Sequence, residues 1–453
     1  MKNFETSECL TQLPDTKFWA LSAGWQGLGE VVQSWFGTIS MIVVTDEVIA
    51  DAVAPSFKEA LRREGLTLIK LLVLRGKAPL VADYRRIQEI ITQVQGLLTT
   101  PRRDGKKGER ALCQSLLVSL GSGTINDLVK CSAGALGVPY LSVPTAPSVD
   151  GYSSFGASIL KENFKQTIPC PAPRVVFTAS EVLSAAPAQL RAAGYGDLAS
   201  KITAGSDWVL ADAFGLDPID GTAWAYTQEG LIKRLSAAPD DLADEIFAGL
   251  VRTGFAMQIT SSSRPVSGAE HLISHVWEME HLEIDGITVP HGIKVGIGLL
   301  TISAFTFLVL DHMRNGISLD ALPKIPGPEA RAQEVAQLCA HLPVSAYRAI
   351  EEVALSKLPT QETVNERYNY ERKWYRNLAD KIETQLVPFE ELKGMLARAG
   401  CFTSPRELGV DRSRFLRTLE IAQMIRSRYT VLDFAWETGL FESCAEEITA
   451  MFF

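Results

Sequence analysis

Residues 115–145, SLLVSLGSGTINDLVKCSAGALGVPYLSVPT, decide how the rest of the chain is read. SLLVSL is an apolar run of strand length, and the glycines at 121 and 123 break it. TINDLVKCSAGAL then carries apolar residues at helical spacing, and VPYLSVP returns to a strand-like run. A strand, glycine turn, helix and strand in this order form a crossover unit, which joins parallel neighbours. Toward the amino terminus the same rhythm repeats. TISMIVVTD and LTLIKLLVL are further apolar runs, followed by the helical patterns EVIADAVAPSFKEALRREG and DYRRIQEIITQVQGLL. The reading is an α/β amino-terminal domain over residues 1–178, a mostly parallel sheet with helices on both faces. Such sheets bind ligands beyond the carboxyl ends of their strands.

After Ala179 the strand signals fade. ASEVLSAAPAQLRAAGYGDLASKITAGSDWVLADAF, DLADEIFAGLVRTGFAMQI and DRSRFLRTLEIAQMIRSRYTVLDFAWETGLF show three- and four-residue apolar spacing, which predicts an all-α domain over 179–453. At 453 residues, two domains are expected. The net charge of −9 offers no basic footprint, so nucleic acid is not an expected partner and a small molecule is. VGIGLLTISAFTFLVL, Val295 to Leu310, falls short of the ~20 residues a spanning helix needs, so it reads as a buried helix without membrane insertion. MKNFETSECLTQLPD lacks the pattern of a secretory leader, and the seven cysteines have neither paired nor zinc-finger spacing. A cytoplasmic protein with reduced thiols is expected.

The motifs that could carry chemistry lie where the strands end. In GSGTINDLVK, Gly121 and Gly123 permit close backbone approach, and the free amides at a helix start can bind a phosphate. The spacing is not that of the usual dinucleotide fingerprint, and a plain turn is the alternative. Asp46, ending VVTD, can accept from the ribose hydroxyls of NAD or cap the following helix. VPTAPSVDGYSS offers Thr145, Ser148, Asp150, Ser153 and Ser154, either as cofactor and polyol contacts or as an ordinary Asp-Gly turn. Asp197, in GYGDLASK, has a helix cap as its default reading.

Four of the six histidines fall in SGAEHLISHVWEMEHLEIDGITVPHG, residues 267–292. His271 and His275 share one helix face, and the turn EIDGITVP can return His291 toward them. Two imidazoles and a carboxylate suit a divalent metal, whereas a structural histidine pair is the alternative. The H-E-x-x-H order of metalloproteases is missing, because LIS separates His271 from His275.

Taken together, VVTD, GSGTINDLVK, PTAPSVDGYSS, GYGDLASK, GAEHLISH and VPHG resemble the iron-containing alcohol dehydrogenase superfamily, and within it the sn-glycerol-1-phosphate dehydrogenases. The resemblance implies a dehydroquinate synthase-like architecture, a nucleotide-binding α/β domain followed by a helical domain with the active site between them. It places Gly121, Ser122, Gly123, Thr124 and Ile125 along the cofactor pyrophosphate, and Thr145, Ala146, Pro147, Ser148 and Ser154 along the rest of NAD, with NADP also possible. It assigns Asp197, His271 and His291 to one divalent ion, zinc, nickel or iron. Asp150, Asp197 and His275 would meet the substrate, with His275 relaying a proton through an imidazole of near-neutral pKa. The implied reaction is hydride transfer between sn-glycerol 1-phosphate, or its ketone, and the nicotinamide, in a homo-oligomer. Lys201, Lys294 and Arg264 are candidate phosphate donors. Alternatives are dehydrogenation of an unphosphorylated polyol such as glycerol, a 3-dehydroquinate synthase-like cyclase, whose resemblance implies glutamate where Asp197 stands, and a silent scaffold that keeps the fold. Ser122 and Thr124 depart from the glycine and basic residue of many relatives. The helical stretch beyond Leu322 exceeds what compact relatives carry.

Overall fold

The computed structural model describes residues 16–76, 80–99, 115–161 and 164–453. The amino-terminal stretch read for a leader, and Cys9 and Cys113, lie outside these residues. By its internal contacts the chain divides into two compact units, Met1–Gly194 with Ser236–Ser261, and Tyr195–Leu235 with Ser262–Phe453.

The first unit is built on a six-stranded sheet, β1 (Phe18–Ser22), β2 (Ser40–Asp46), β3 (Thr67–Leu74), β4 (Ser115–Gly121), β5 (Tyr140–Pro144) and β8 (Val175–Ala179), in the order β1-β8-β5-β4-β2-β3. Every pairing in it is parallel. The alternation along β2 explains the two helical layers. Met41 and Val43 pack with Leu28, Val32, Phe57 and Leu61 on one face, while Ile42 and Val44 pack with Ile87, Ile90, Leu128 and Val129 on the other. β4 is buried along its whole length, as its unbroken apolar run requires. A separate antiparallel hairpin joins β6 (Ala157–Lys161) to β7 (Phe164–Ile168).

Three features differ from the sequence reading. The stretch read as one helix after Asp46 is two, Glu47–Ala52 and Ala54–Arg63, because Pro55 has no N–H to continue the ladder and sits in the first turn of the second. β1 joins the sheet edge beside β8, although FWALS is too short to stand out in the sequence. The division between units falls after Gly194 rather than at 178/179, and helix Leu242–Thr260 returns to the first unit. Long-range bonds hold that helix there. Ser153 Oγ donates to the Val251 carbonyl at 2.8 Å, Ser180 Oγ donates to Asp244 Oδ2 at 2.9 Å, and Gln258 Nε2 donates to Thr16 Oγ1 at 2.9 Å.

The second unit is helical. Its strand structure among the described residues is the hairpin β9 (Glu283–Ile284) and β10 (Ile287–Thr288). Asp285 and Gly286 both adopt positive φ, 51° and 74°, which is the turn a two-residue hairpin loop favours. The hairpin brings the chain back to start helix His291–Asn315. That helix, at 25 residues, is longer than the 16-residue apolar run within it and has the length and composition of a membrane span. It is 89% buried over its most apolar window, so it serves as the core helix of this unit.

Candidate metal and nucleotide sites

In the first unit, β2 has β3 on one side and β4 on the other, so the strand order reverses between β2 and β4. Parallel sheets bind ligands outside the carboxyl ends at such a reversal. Asp46 ends β2, Gly121 ends β4, and Thr145, Ala146, Pro147 and Ser148 follow β5, so the sheet sets these residues along one edge. A Cβ at Gly121 would lie 2.7 Å from the Ile125 side chain, and one at Gly123 would lie 2.8 Å from Val149 Cγ2. Both glycines are therefore required for the tight passage from β4 into helix Gly123–Leu136. Ser122 occupies the cap position, Thr124 lies in the first turn, and Ile125 is buried.

The capping alternative for Asp46 is observed, since its Oδ1 accepts from Ile49 N at 2.8 Å. The hydroxyls after β5 are partly used within their own loop. Ser148 Oγ lies 3.0 Å from Tyr152 Oη, which donates to the Ala146 carbonyl at 2.7 Å, and Ser154 Oγ donates to the Gly151 carbonyl at 3.1 Å. Lys130, which the sequence reading passed over, is buried and ties this loop down. Its ammonium donates to the carbonyls of Gly151 at 2.7 Å and Gly156 at 2.9 Å. Its place in GSGTINDLVK, seven residues after Gly123, was the available signal. Asp150 opens the single turn Asp150–Tyr152 in the first unit.

The second unit brings Asp197, His271 and His291 together. One ligand atom from each lies within 4.8 Å of the other two. Helix Ala188–Ala199 carries Asp197, helix Ala269–Met279 carries His271 and His275, and His291 is the first residue of the long core helix. Close helix approach sets this up. A Cβ at Gly298 would fall 2.3 Å from the Glu270 carbonyl, and one at Gly196 would fall 2.3 Å from that of Gly292. Each imidazole is backed by a carboxylate. His271 Nδ1 donates to Glu270 Oε1 at 2.8 Å and His291 Nδ1 donates to Glu278 Oε1 at 2.7 Å, which leaves both Nε2 atoms as ligands. Glu270 is held in turn by Gly268 N at 2.7 Å and Thr203 Oγ1 at 2.9 Å.

His275 lies outside the ligand group. Its ring is 6.3 Å from that of His271 and stacks 5.9 Å from that of His291. His281 is not part of the group either, and occupies a positive-φ position.

The charges fit a cation. Burial alone would raise the Asp197 carboxyl, but the Lys201 ammonium at 2.7 Å and His271 pull it well below the usual carboxylate range. Burial would raise Glu270 too, but the bond from His271, its charge and the bonds from backbone N–H groups together hold that carboxyl below its usual range. Burial holds His275 down to about 3, so its imidazole is neutral at physiological pH, in place of the near-neutral pKa expected of it. The candidate phosphate donors are already engaged. Lys201 pairs with Asp197, Lys294 lies 3.4 Å from Glu278 Oε1, and Arg264 pairs with Asp217 at 3.0 Å and bonds the Asp207 carbonyl at 2.7 Å.

Residues 25–187 match the family described as iron-containing alcohol dehydrogenase. The chain is 28% identical over 405 residues, 86% of its own length and 85% of the relative's, to a glycerol-1-phosphate dehydrogenase [NAD(P)+] of Geobacillus thermodenitrificans. It is 34% identical over 221 residues to the protein of the same name in Methanosarcina mazei, covering 47% of this chain and 60% of that one. Among solved structures, glycerol dehydrogenase from Schizosaccharomyces pombe superposes with a TM-score of 0.57 at 15% identity, covering 97% of this chain and 91% of the other. That likeness is one of fold.

Proposed function

We propose that this protein is an iron-containing alcohol dehydrogenase relative, an NAD(P)- and metal-dependent oxidoreductase that interconverts sn-glycerol 1-phosphate and dihydroxyacetone phosphate. The observation that carries the reading is the group Asp197, His271 and His291, with a carboxylate behind each imidazole. The names of the bacterial and archaeal relatives give glycerol 1-phosphate and NAD(P)+, which supports the same alcohol and cofactor here. A divalent ion bound there, zinc, nickel or iron by this donor set, supplies Lewis acidity to the reacting oxygen of the substrate.

The chain's own residues do the rest. Asp197, ionised and fixed by Lys201, binds the ion and faces the substrate. Neutral His275 can hydrogen-bond the substrate and pass a proton without first losing one of its own. Asp150 binds a polyol hydroxyl. Asp46, the turn from Gly121 to Ile125, the segment from Thr145 to Ser148 and Ser154 hold the dinucleotide. For the substrate phosphate we assign Arg426, which is exposed and, among the described residues, makes no side-chain hydrogen bond or ion pair. It acts electrostatically on both Glu278 and His275. The five free cysteines among the described residues accord with a reducing cytoplasm.

The test supplies dihydroxyacetone phosphate, dihydroxyacetone and glycerol separately, with NADH or NADPH for the ketones and NAD or NADP for glycerol, after metal removal and readdition. Metal-dependent turnover of the phosphorylated ketone is expected to dominate. Equal turnover of the unphosphorylated compounds would overturn the substrate choice.

A further inference from the structure

Within the second unit, a cavity of about 240 Å³ lies among the carboxy-terminal helices, lined by none of Asp197, His271, His275 and His291. Its walls come from the loop at Leu216 and Asp217, helices Pro328–Leu338 and Gln361–Arg367, the end of helix Val344–Ser356, and the segment from Gln423 to Glu437. Four cationic side chains line it, and three of them, Lys357, Arg367 and Arg331, are paired with a carboxylate. Lys357 Nζ lies 2.5 Å from Asp433 Oδ1, and Arg367 Nη1 donates to both oxygens of Glu437 at 2.5 and 2.6 Å.

Arg331, despite its pairing with Glu334, and Arg428 each keep an unsatisfied donor. Arg331, 1% exposed, donates through Nη1 to Glu334 at 2.7 Å and through Nη2 to Gln423 Oε1, but its buried Nε has no acceptor among the described residues. Arg428 donates to the Ser267 carbonyl and to Ser263 Oγ at 2.7 Å, and its Nε is also buried without an acceptor. Buried guanidinium donors without acceptors also occur at Arg417, outside this cavity, but here two of them line one cavity, and a charged oxygen ligand is the strongest partner for such a donor. The Arg331 guanidinium stacks 4.7 Å over the Trp436 ring, which holds it ready before any ligand arrives.

We propose that this cavity binds a small phosphate-bearing anion, seated between Arg331 and Arg428 and distinct from the metal group. Two arginines with spare N–H groups suit the several oxygens of a phosphate, and the volume suits phosphate alone or with a short carbon chain. Arg428 links this site to the metal group, because the Ser267 carbonyl it holds lies just ahead of the helix that carries His271. An anion drawn to Arg428 therefore acts on the start of that helix.

Two measurements on the metal-loaded full-length protein test this. Crystals soaked with tungstate, a tetrahedral oxyanion with a strong anomalous signal, are expected to show a peak between Arg331 and Arg428. Inorganic phosphate, compared with chloride at equal ionic strength, is expected to raise Tm, and R331Q and R428Q should each weaken that apparent affinity at least fivefold. If R331Q fails to fold, R428Q carries the same readout, since its side chain is only partly buried. Tungstate bound only at the metal group, or an undiminished phosphate response in the variants that fold, would overturn the proposal.

Discussion

The Nδ1–H of His271 donates to Glu270 Oε1 across 2.8 Å, and this bond fixes which ring nitrogen faces Asp197, whose Oδ1 lies 3.6 Å from Nε2. The histidine is thereby oriented before an ion binds. E270Q keeps the shape but weakens the acceptor, and should lower metal affinity roughly 10- to 100-fold. H271A should abolish metal retention and turnover. Elemental analysis of purified protein checks both, and a fully metallated H271A protein would remove His271 from the ligand set.

His275 is held neutral by burial and stands outside the ligand group. H275A should lower kcat by roughly 10² to 10⁴, the usual worth of a positioned acid or base, while metal content stays near that of the wild type. Steady-state rates read beside metal analysis separate this from the H271A phenotype. Loss of metal in H275A would contradict the separation of roles.

Asp46 ends β2 and caps the next helix. If it also meets the adenosine ribose, D46A should raise the NADP to NAD ratio of kcat/KM, while removal of the cap costs about 1 kcal/mol of stability. The cofactor ratio is the deciding readout, since a cap alone would leave it unmoved.

The proposed role of Arg426 as counter-charge to the substrate phosphate is open to test. R426Q should raise KM for dihydroxyacetone phosphate roughly 10- to 100-fold, as expected for one charged hydrogen bond of about 1.5–3 kcal/mol. R426K should recover part of this. An unchanged KM would place the phosphate elsewhere.

Asp207 supplies a pH-dependent stability signal. Its carboxyl accepts from Ala269 N at 2.8 Å and Val431 N at 2.7 Å, and burial with repulsion from Glu270 pushes its pKa from 3.8 up to about 7. Below about 3.8 the group is protonated in both folded and unfolded chains. Between 3.8 and 7 the unfolded chain ionises first, so the group's contribution is lost as pH rises through about 7, by up to about 4 kcal/mol. Urea midpoints of the wild type minus those of D207N should therefore fall from pH 4 to 7.5 and then level off. A difference independent of pH would show that Asp207 titrates normally.

Much of this was legible in residue order. β2, β4 and β5 announced themselves because strands buried on both faces need unbroken apolar runs, and the crossover helix needed glycine at 121 and 123 to clear Ile125 and Val149. His271 and His275 were readable as one helix face. Other parts had no local signal. Glu278 shares that face, but its bond to His291 depends on the β9–β10 turn. Lys201 looked like a free cation and is bound to Asp197, and Asp46 was ambiguous until its side chain was seen capping a helix.

Hydrophobic periodicity, glycine placement and the run of histidines by themselves determined a parallel α/β unit followed by helices and a cluster of metal-capable side chains. Only the tertiary structure decided the strand order that sets Asp46 beside Gly121, the return of helix Leu242–Thr260 to the first unit, and the pairing of each imidazole with its carboxylate. The physical reason is range: periodicity reports which face of an element is buried, whereas an ion site depends on side chains up to 94 residues apart, from Asp197 to His291, meeting within 4.8 Å.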